Sequence, residues 1–225
     1  SPRIREMTVV ERNPGYLHVI SDYPQVAGLL SDPRIRIVVD DGRRWMRRNP
    51  HEKFDLIVQN TTFSWRAYAT NLLSREYMAL TRRHLKPGGI VGVNSTGSAD
   101  VLKTAQAVFP FVERRRSFIY GSDTDFSQPI DGAESALREL RLDDAPVFDE
   151  AAFRRGGLVR DMIDDPFAPR AQQYHGLTAN PGLITDQNLL VEHAHGILRT
   201  YVPGFYEAVN SARMALHPKA PVPAR

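Results

Sequence analysis

Ile35-Arg36-Ile37-Val38-Val39-Asp40-Asp41-Gly42 decides how the chain is read. Four β-branched residues in a run of five make a strand, and two carboxylates and a glycine close it. The pattern recurs on both sides. Upstream, Met7-Thr8-Val9-Val10 is a short apolar strand that ends in Glu11. Downstream, Phe54-Asp55-Leu56-Ile57-Val58-Gln59 is a third strand, running into Asn60-Thr61-Thr62-Phe63, and Ile90–Asn94 is a fourth. Helical stretches alternate with them: Pro14–Leu30, Arg43–Arg48, Ser74–Leu85 and Asp100–Val108. Ser74 can cap its helix, and Pro87-Gly88-Gly89 is the expected stop. Val112–Arg116 and Ser117–Tyr120 read as two last strands. This alternation predicts βαβ units and an α/β fold with a mostly parallel sheet.

After residue 122 the pattern loosens, so the chain divides into a core over 1–122 and a mostly helical and loop extension over 123–225. Ala133–Leu140 and Glu150–Arg155 read as short helices, 164–183 as loop, and Gly204–Leu216 as a last helix before a proline-rich tail. The 225 residues are enough for one domain with a real core. No apolar run approaches the roughly 18–20 residues a membrane helix needs, and residues 1–6 hold no secretory apolar region. Zero cysteines exclude disulfides, thiolate metal sites and cysteine nucleophiles, which fits the cytoplasm. The 29 basic residues against 26 acidic ones leave a net charge of +3. Only four are lysines (Lys53, Lys86, Lys103 and Lys219), so 25 are arginines. The basic clusters lie scattered among acids, whereas a duplex-binding domain concentrates charge on one face; no nucleic-acid partner is expected.

In a parallel α/β sheet, ligands bind beyond the carboxyl ends of the strands. Glu11 at such a tip can accept both hydroxyls of a ribose, or it can be a surface acid that caps or pairs with Arg12. Asp40-Asp41-Gly42 can present a carboxylate to an adenine amino group while Gly42 lets the chain turn beneath the base. It can equally be an ordinary Asp-Gly turn. Asn60, Thr61, Thr62 and Phe63 bring polar groups without a carboxylate to the third tip. Trp65 and Tyr68, three apart, share one face if that stretch is helical. Glu192-His193-Ala194-His195 lacks the spacing of a metal site, and no metal is expected. No phosphate-binding Gly-Lys-Ser/Thr loop or serine nucleophile elbow occurs.

Taken in order, these segments resemble the spermidine synthase family, whose fold is Rossmann-like and of the S-adenosylmethionine-dependent methyltransferase type. The resemblance covers roughly residues 7–121 and rests on Val9-Val10-Glu11-Arg12-Asn13-Pro14, Val39-Asp40-Asp41-Gly42-Arg43, Phe54-Asp55-Leu56-Ile57-Val58, Leu72-Leu73-Ser74-Arg75-Glu76-Tyr77 and Leu85-Lys86-Pro87-Gly88-Gly89. It implies a nucleoside site for S-adenosylmethionine, its decarboxylated form or methylthioadenosine, built from Glu11, Asp41, Gly42 and Asn60. Thr185-Asp186-Gln187-Asn188 resembles a further segment of synthase-like relatives and is read as a turn or helix cap without chemistry.

Two departures qualify the resemblance. The family sets a central strand and a glycine-rich loop before the Glu11 strand, and no Gly-x-Gly pattern precedes Met7. Without that strand, the strands ending at Glu11 and Gln59 present open edges, which invite association. A protein partner, a longer native chain or a second copy is expected to complete the sheet, and a tether to a membrane would lie in such a segment. The family's catalytic aspartates also align with Asn60 and Phe63. An amide cannot accept a proton at neutral pH, so ordinary spermidine synthesis is not expected. Thr61, Thr62, Trp65, Arg66 and Tyr68 then line the substrate mouth and suit a larger, flatter or anionic ligand. The expected function is a spermidine synthase-like transferase, aminopropyl or methyl, with a changed acceptor. The alternative is a non-catalytic scaffold or interaction subunit of that fold.

Overall fold

A computed structural model of the chain describes residues 3–60, 69–95, 98–115, 117–126, 132–142, 144–164 and 181–187. Strand β1 (Met7–Glu11) leads into helix α1 (Pro14–Ser21). Asn13 starts that helix by accepting the Gly15 amide at 2.9 Å, and Pro14 occupies a first-turn position that needs no donor. The single helix expected over 14–30 is broken. Tyr23, ahead of Pro24, is extended, as the residue before a proline tends to be. The chain restarts as α2 (Pro24–Ala27) and a 3-10 turn at Gly28–Leu30. Strand β2 (Ile35–Val39) then pairs in parallel with β1.

Helix α3 (Gly42–Arg48) follows with Asp41 as its cap, and then β3 (Phe54–Gln59). Helix α4 (Arg75–Arg83) is capped by Ser74, whose hydroxyl accepts the Tyr77 amide at 3.2 Å. It ends at His84, earlier than the Pro87-Gly88-Gly89 stop expected from sequence, because β4 begins at Leu85 and runs through those residues to Asn94. Pro-Gly-Gly is instead a bulge. The β3–β4 register jumps from Phe54↔Leu85 to Leu56↔Ile90. Gly88 takes φ +75°, and a Cβ on Gly89 would lie 2.9 Å from the carbonyl oxygens of Lys86 and Phe54. Helix α5 (Ala99–Gln106), β5 (Phe111–Arg115) and β6 (Phe118–Ser122) complete the core. The larger sheet has the order β3-β4-β6-β5, parallel at β3–β4 and antiparallel beyond. Past it lie α6 (Ala133–Arg138), a hairpin of β7 (Arg141–Leu142) and β8 (Ala145–Pro146), a 3-10 turn at Glu150–Phe153, and α7 (Leu158–Asp164). The hairpin and α7 carry no periodicity that announced them. The helix expected at Gly204–Leu216, the Glu192-His193-Ala194-His195 stretch and residues 61–68 lie outside the described residues.

Among the described residues β1 pairs only with β2, and β3 only with β4. The two strands stand on either wall of one cleft of about 730 Å3. Leu56 and Val58, on one face of β3, are 57% and 60% exposed, which is unusual for parallel strands, whose faces are normally both covered. On the other face Ile57 packs between two clusters. One joins Trp45, Met46, Tyr77 and Leu80 under the cleft. The larger one joins Met78, Val91, Val101, Leu102 and Ile119.

Ile184 belongs to that larger core and is 1% exposed. Residues 181–187, part of a stretch expected to be loop and extension, form a strap across α4 and α5. The Gly182 amide donates to Asp100 Oδ1 at 2.6 Å, the Ile184 amide to Thr104 Oγ1 at 2.9 Å, and the Arg75 amide to the Ile184 carbonyl at 2.9 Å. Ile184→Ala should therefore lower unfolding free energy by about 2–4 kcal/mol, the cost of a large-to-small change in a packed core. Denaturant melts read this directly, and a change within about 0.5 kcal/mol, as at ordinary surface positions, would show that the strap is not part of the core.

Candidate functional site

The cleft is built where three strands deliver their carboxyl ends. Glu11 arrives on β1, Asp40 and Asp41 follow β2, and Gln59 ends β3; all four line it. Val10, Val38, Phe54, Ile57 and Leu72 supply apolar surface packed on Trp45, Met46 and Tyr77.

Glu11 and Asp41 share one arrangement. Glu11 Oε1 accepts the Asn13 amide at 2.7 Å, and Asp41 Oδ1 accepts the Arg44 amide at 2.9 Å as the cap of α3. Each spends one carboxylate oxygen on the backbone at its strand tip, and the other oxygen has no protein hydrogen bond among the described residues. Glu11 takes the local amide that its capping reading expected, Asp41 caps the helix that follows its turn, and each acid keeps an acceptor for something else. Glu11 makes no ion pair with Arg12. Asp40 differs: Arg44 grips it, Arg48 stands 3.8 Å away, and the Arg44 hydrogen bond holds its carboxyl below the usual carboxylate range. Asp40 is neutralised by Arg44, while Asp41 has no ion pair among the described residues.

Gly42 is not required by the backbone. Its φ is ordinary, and a Cβ there would meet nothing within 4 Å. What the glycine provides is open space at the start of α3, beside Asp41. Asn60 departs from expectation: its Oδ1 accepts from Asn94 Nδ2 at 2.9 Å, and it is not among the residues that line the cleft. Thr61, Thr62, Phe63, Trp65, Arg66 and Tyr68 fall outside the described residues. Among the described residues no group of His, Asp and Glu could hold a metal ion, and no helix is long and apolar enough to cross a membrane.

Three residues of the site escaped sequence reasoning. Arg43 is buried on α3, its guanidinium forked onto Asp186 with one bond of 2.8 Å, and it also donates to the Asn71 carbonyl at 2.8 Å. It lies 5.9 Å from the centre of the Tyr77 ring. Tyr77 is pushed up to about 12 by burial first and by the Asp41 charge second. Asp186 further accepts from the Ser74 hydroxyl at 2.6 Å, and its amide donates to Glu76 Oε2 at 3.0 Å. The resemblance of Thr185-Asp186 to synthase-like relatives was the one available signal. Gln59 is 6% exposed, a polar side chain ending an otherwise largely apolar strand; its Nε2 donates to the Leu72 carbonyl at 2.8 Å, and Oε1 has no partner among the described residues.

Arg43 above all, opposed by burial and helped by Ser74, holds the Asp186 carboxyl below the usual carboxylate range. A carboxylate with a lowered native pKa contributes stability that is complete above its unfolded value, about 3.9, and that is lost as pH falls through the native value. Hydrogen-exchange protection of the Ile184 and Asp186 amides should hold down to about pH 4 and fall below it. Asp186→Asn should remove that acid-dependent step, and an unchanged acid dependence in this variant would assign the step elsewhere.

Comparison with known proteins agrees with the architecture. Residues 4–113 match the spermine/spermidine synthase domain. The chain is 26% identical over 176 residues to a polyamine aminopropyltransferase of Hamiltonella defensa, covering 73% of this chain and 58% of that protein. It is 32% identical over 91 residues to a polyamine aminopropyltransferase of Agathobacter rectalis, covering 40% and 31%. The chain thus spans less than two thirds of the length of these curated relatives. A crystal structure of spermidine synthase in complex with the transition-state analogue AdoDATO superposes with a TM-score of 0.53 at 15% identity, over 76% of this chain and 60% of that one. Spermidine synthase from Thermotoga maritima superposes at 0.51 with 16% identity, over 76% and 59%. Residues 4–113, just under half of the chain, thus resemble the spermine/spermidine synthase domain.

Proposed function

We propose that the cleft holds the adenosine end of S-adenosylmethionine or its decarboxylated form, and that the chain is the nucleoside-binding part of a transferase with a changed acceptor. In this reading the free oxygen of Glu11 accepts from the ribose hydroxyls and that of Asp41 from the adenine amino group. The observation that carries it is the matched pair of half-used carboxylates at neighbouring strand tips. Open space at Gly42 and the apolar wall of Trp45, Met46 and Leu72 suit a flat base. The described residues fit the nucleoside and supply no cradle for the sulfonium end. When bound, the cofactor would supply an electrophilic carbon beside its sulfonium.

Asn60 cannot act as base, and it is tied to Asn94. This supports an acceptor that does not need the family's aspartate anchor; Thr61, Thr62, Trp65, Arg66 and Tyr68, expected at its entrance, lie outside the described residues. The open edges of β1 and β3 support the companion proposal that a further extended segment completes the sheet. It would come from a longer polypeptide, a partner protein or a second copy, and would carry any membrane tether. The same edges favour a second reading, in which the chain is a non-catalytic interaction subunit.

Titration calorimetry with methylthioadenosine separates the two. The transferase reading expects binding, with Glu11→Ala and Asp41→Ala each losing about 1–3 kcal/mol of affinity, as for a hydrogen bond to a charged group. Equal affinity in both variants would overturn the nucleoside assignment. No binding to the intact assembly would leave the interaction subunit as the function.

A further inference from the structure

The far side of the Arg43–Asp186 pair faces a second groove, of about 790 Å3, running along α4 between α3 and the end of α5. Arg43, Arg47 and Asp186 line both this groove and the nucleoside cleft. Its floor is small and aliphatic: Ala79, Leu80, Ala107 and Val108. Three acids lie in it, and each is already taken by an arginine. Asp186 holds Arg43, Glu76 is 3.0 Å from Arg75, and Asp123 is 2.7 Å from Arg82.

Two further arginines, Arg47 from α3 and Arg83 from α4, line the groove, are exposed, and have no ion-pair partner among the described residues. The groove therefore carries two guanidinium groups outside any ion pair over an apolar floor, Arg47 within Coulombic reach of Asp186. Each ends a helix, where a cation complements the helix dipole. That accounts for a basic residue at each place, but not for their meeting across a trough with aliphatic walls.

We propose that this groove docks an acidic, amphipathic segment of a partner protein, with carboxylates on Arg47 and Arg83 and apolar side chains on the floor. A guanidinium suits such a surface because it is weakly hydrated and binds carboxylates in a fork. A small free anion would leave the aliphatic floor uncovered. A nucleic-acid strand fits less well, because three carboxylates would face its phosphates and no aromatic residue lines the groove to stack a base. A segment seated here ends beside the wall shared with the nucleoside cleft. The proposal stands on charge and shape, and does not depend on what the nucleoside cleft binds.

The test uses a fluorescein-labelled helical peptide with leucine and glutamate at alternating helix-face positions. Its partners are the same peptide with glutamine, the same with lysine, and a single-stranded oligodeoxythymidine. Fluorescence anisotropy should show binding of the glutamate peptide, and roughly tenfold or weaker binding of the glutamine form. Arg47→Glu with Arg83→Glu should lose the glutamate peptide by a similar factor and gain the lysine one. Arg155→Glu, outside the groove, should change neither, and thermal melts of all variants should coincide with the parent. No binding of the glutamate peptide, equal binding of the glutamine form, unchanged affinity in the double variant, or tighter binding of the oligonucleotide would each overturn the proposal.

Discussion

A guanidinium taken out of water must meet its charge nearby, because an unpaired buried ion is among the costliest defects a fold can carry. Arg43 sits in that position one residue after Gly42, and Asp186 answers it from far along the chain. Much follows from the pair. To reach Arg43, Asp186 must be delivered by the strap 181–187, which seats Ile184 in the core and engages Thr104 and Asp100. Asp186 also takes the Ser74 hydroxyl, the group that caps α4, so the start of that helix and the start of α3 are fixed by one carboxylate. The wall so formed borders both clefts.

The cleft between β1 and β3 shows how a fold reuses its own helix-starting chemistry. A carboxylate has more acceptor positions than one backbone amide can fill. Glu11 and Asp41 each satisfy a local N–H, which fixes the side chain, and keep an oxygen for the cleft. An acid at a strand tip is thus held in position by the turn it makes. Asp40, one residue earlier, takes Arg44 and the Asp41 amide on Oδ1, with Arg48 3.8 Å from Oδ2. Two adjacent aspartates in the sequence have separate roles, and only the geometry of the turn separates them.

The alternation of strands and helices, the cap at Ser74, and the acids at the strand tips were all legible in the sequence, because each is a local pattern read over a few residues. Asp41 as adenine ligand or as turn residue could not be decided locally; the structure makes it the cap and leaves an oxygen over. Pro87-Gly88-Gly89 looked like a helix stop because the same residues that end helices also make bulges, and only the pairing of β4 with β3 distinguishes the two. The place of Asp186 was illegible because its meaning lies in a residue 143 positions away. Gln59 gave the weakest signal, one polar side chain in a largely apolar run, and its burial depends on how Leu72 packs over it.

The open edges of β1 and β3 among the described residues have a consequence for the life of the chain in solution. β1 reads Met-Thr-Val-Val-Glu and β3 reads Phe-Asp-Leu-Ile-Val-Gln, with no proline or lysine to guard either edge. Such edges accept any extended chain, including another copy, and copy-to-copy pairing grows faster than concentration does. Under the proposed completion of the sheet, a pairing segment that is covalently attached or made in step with the chain outruns self-association. The open cleft sets a kinetic demand on synthesis as well as a geometric one on binding.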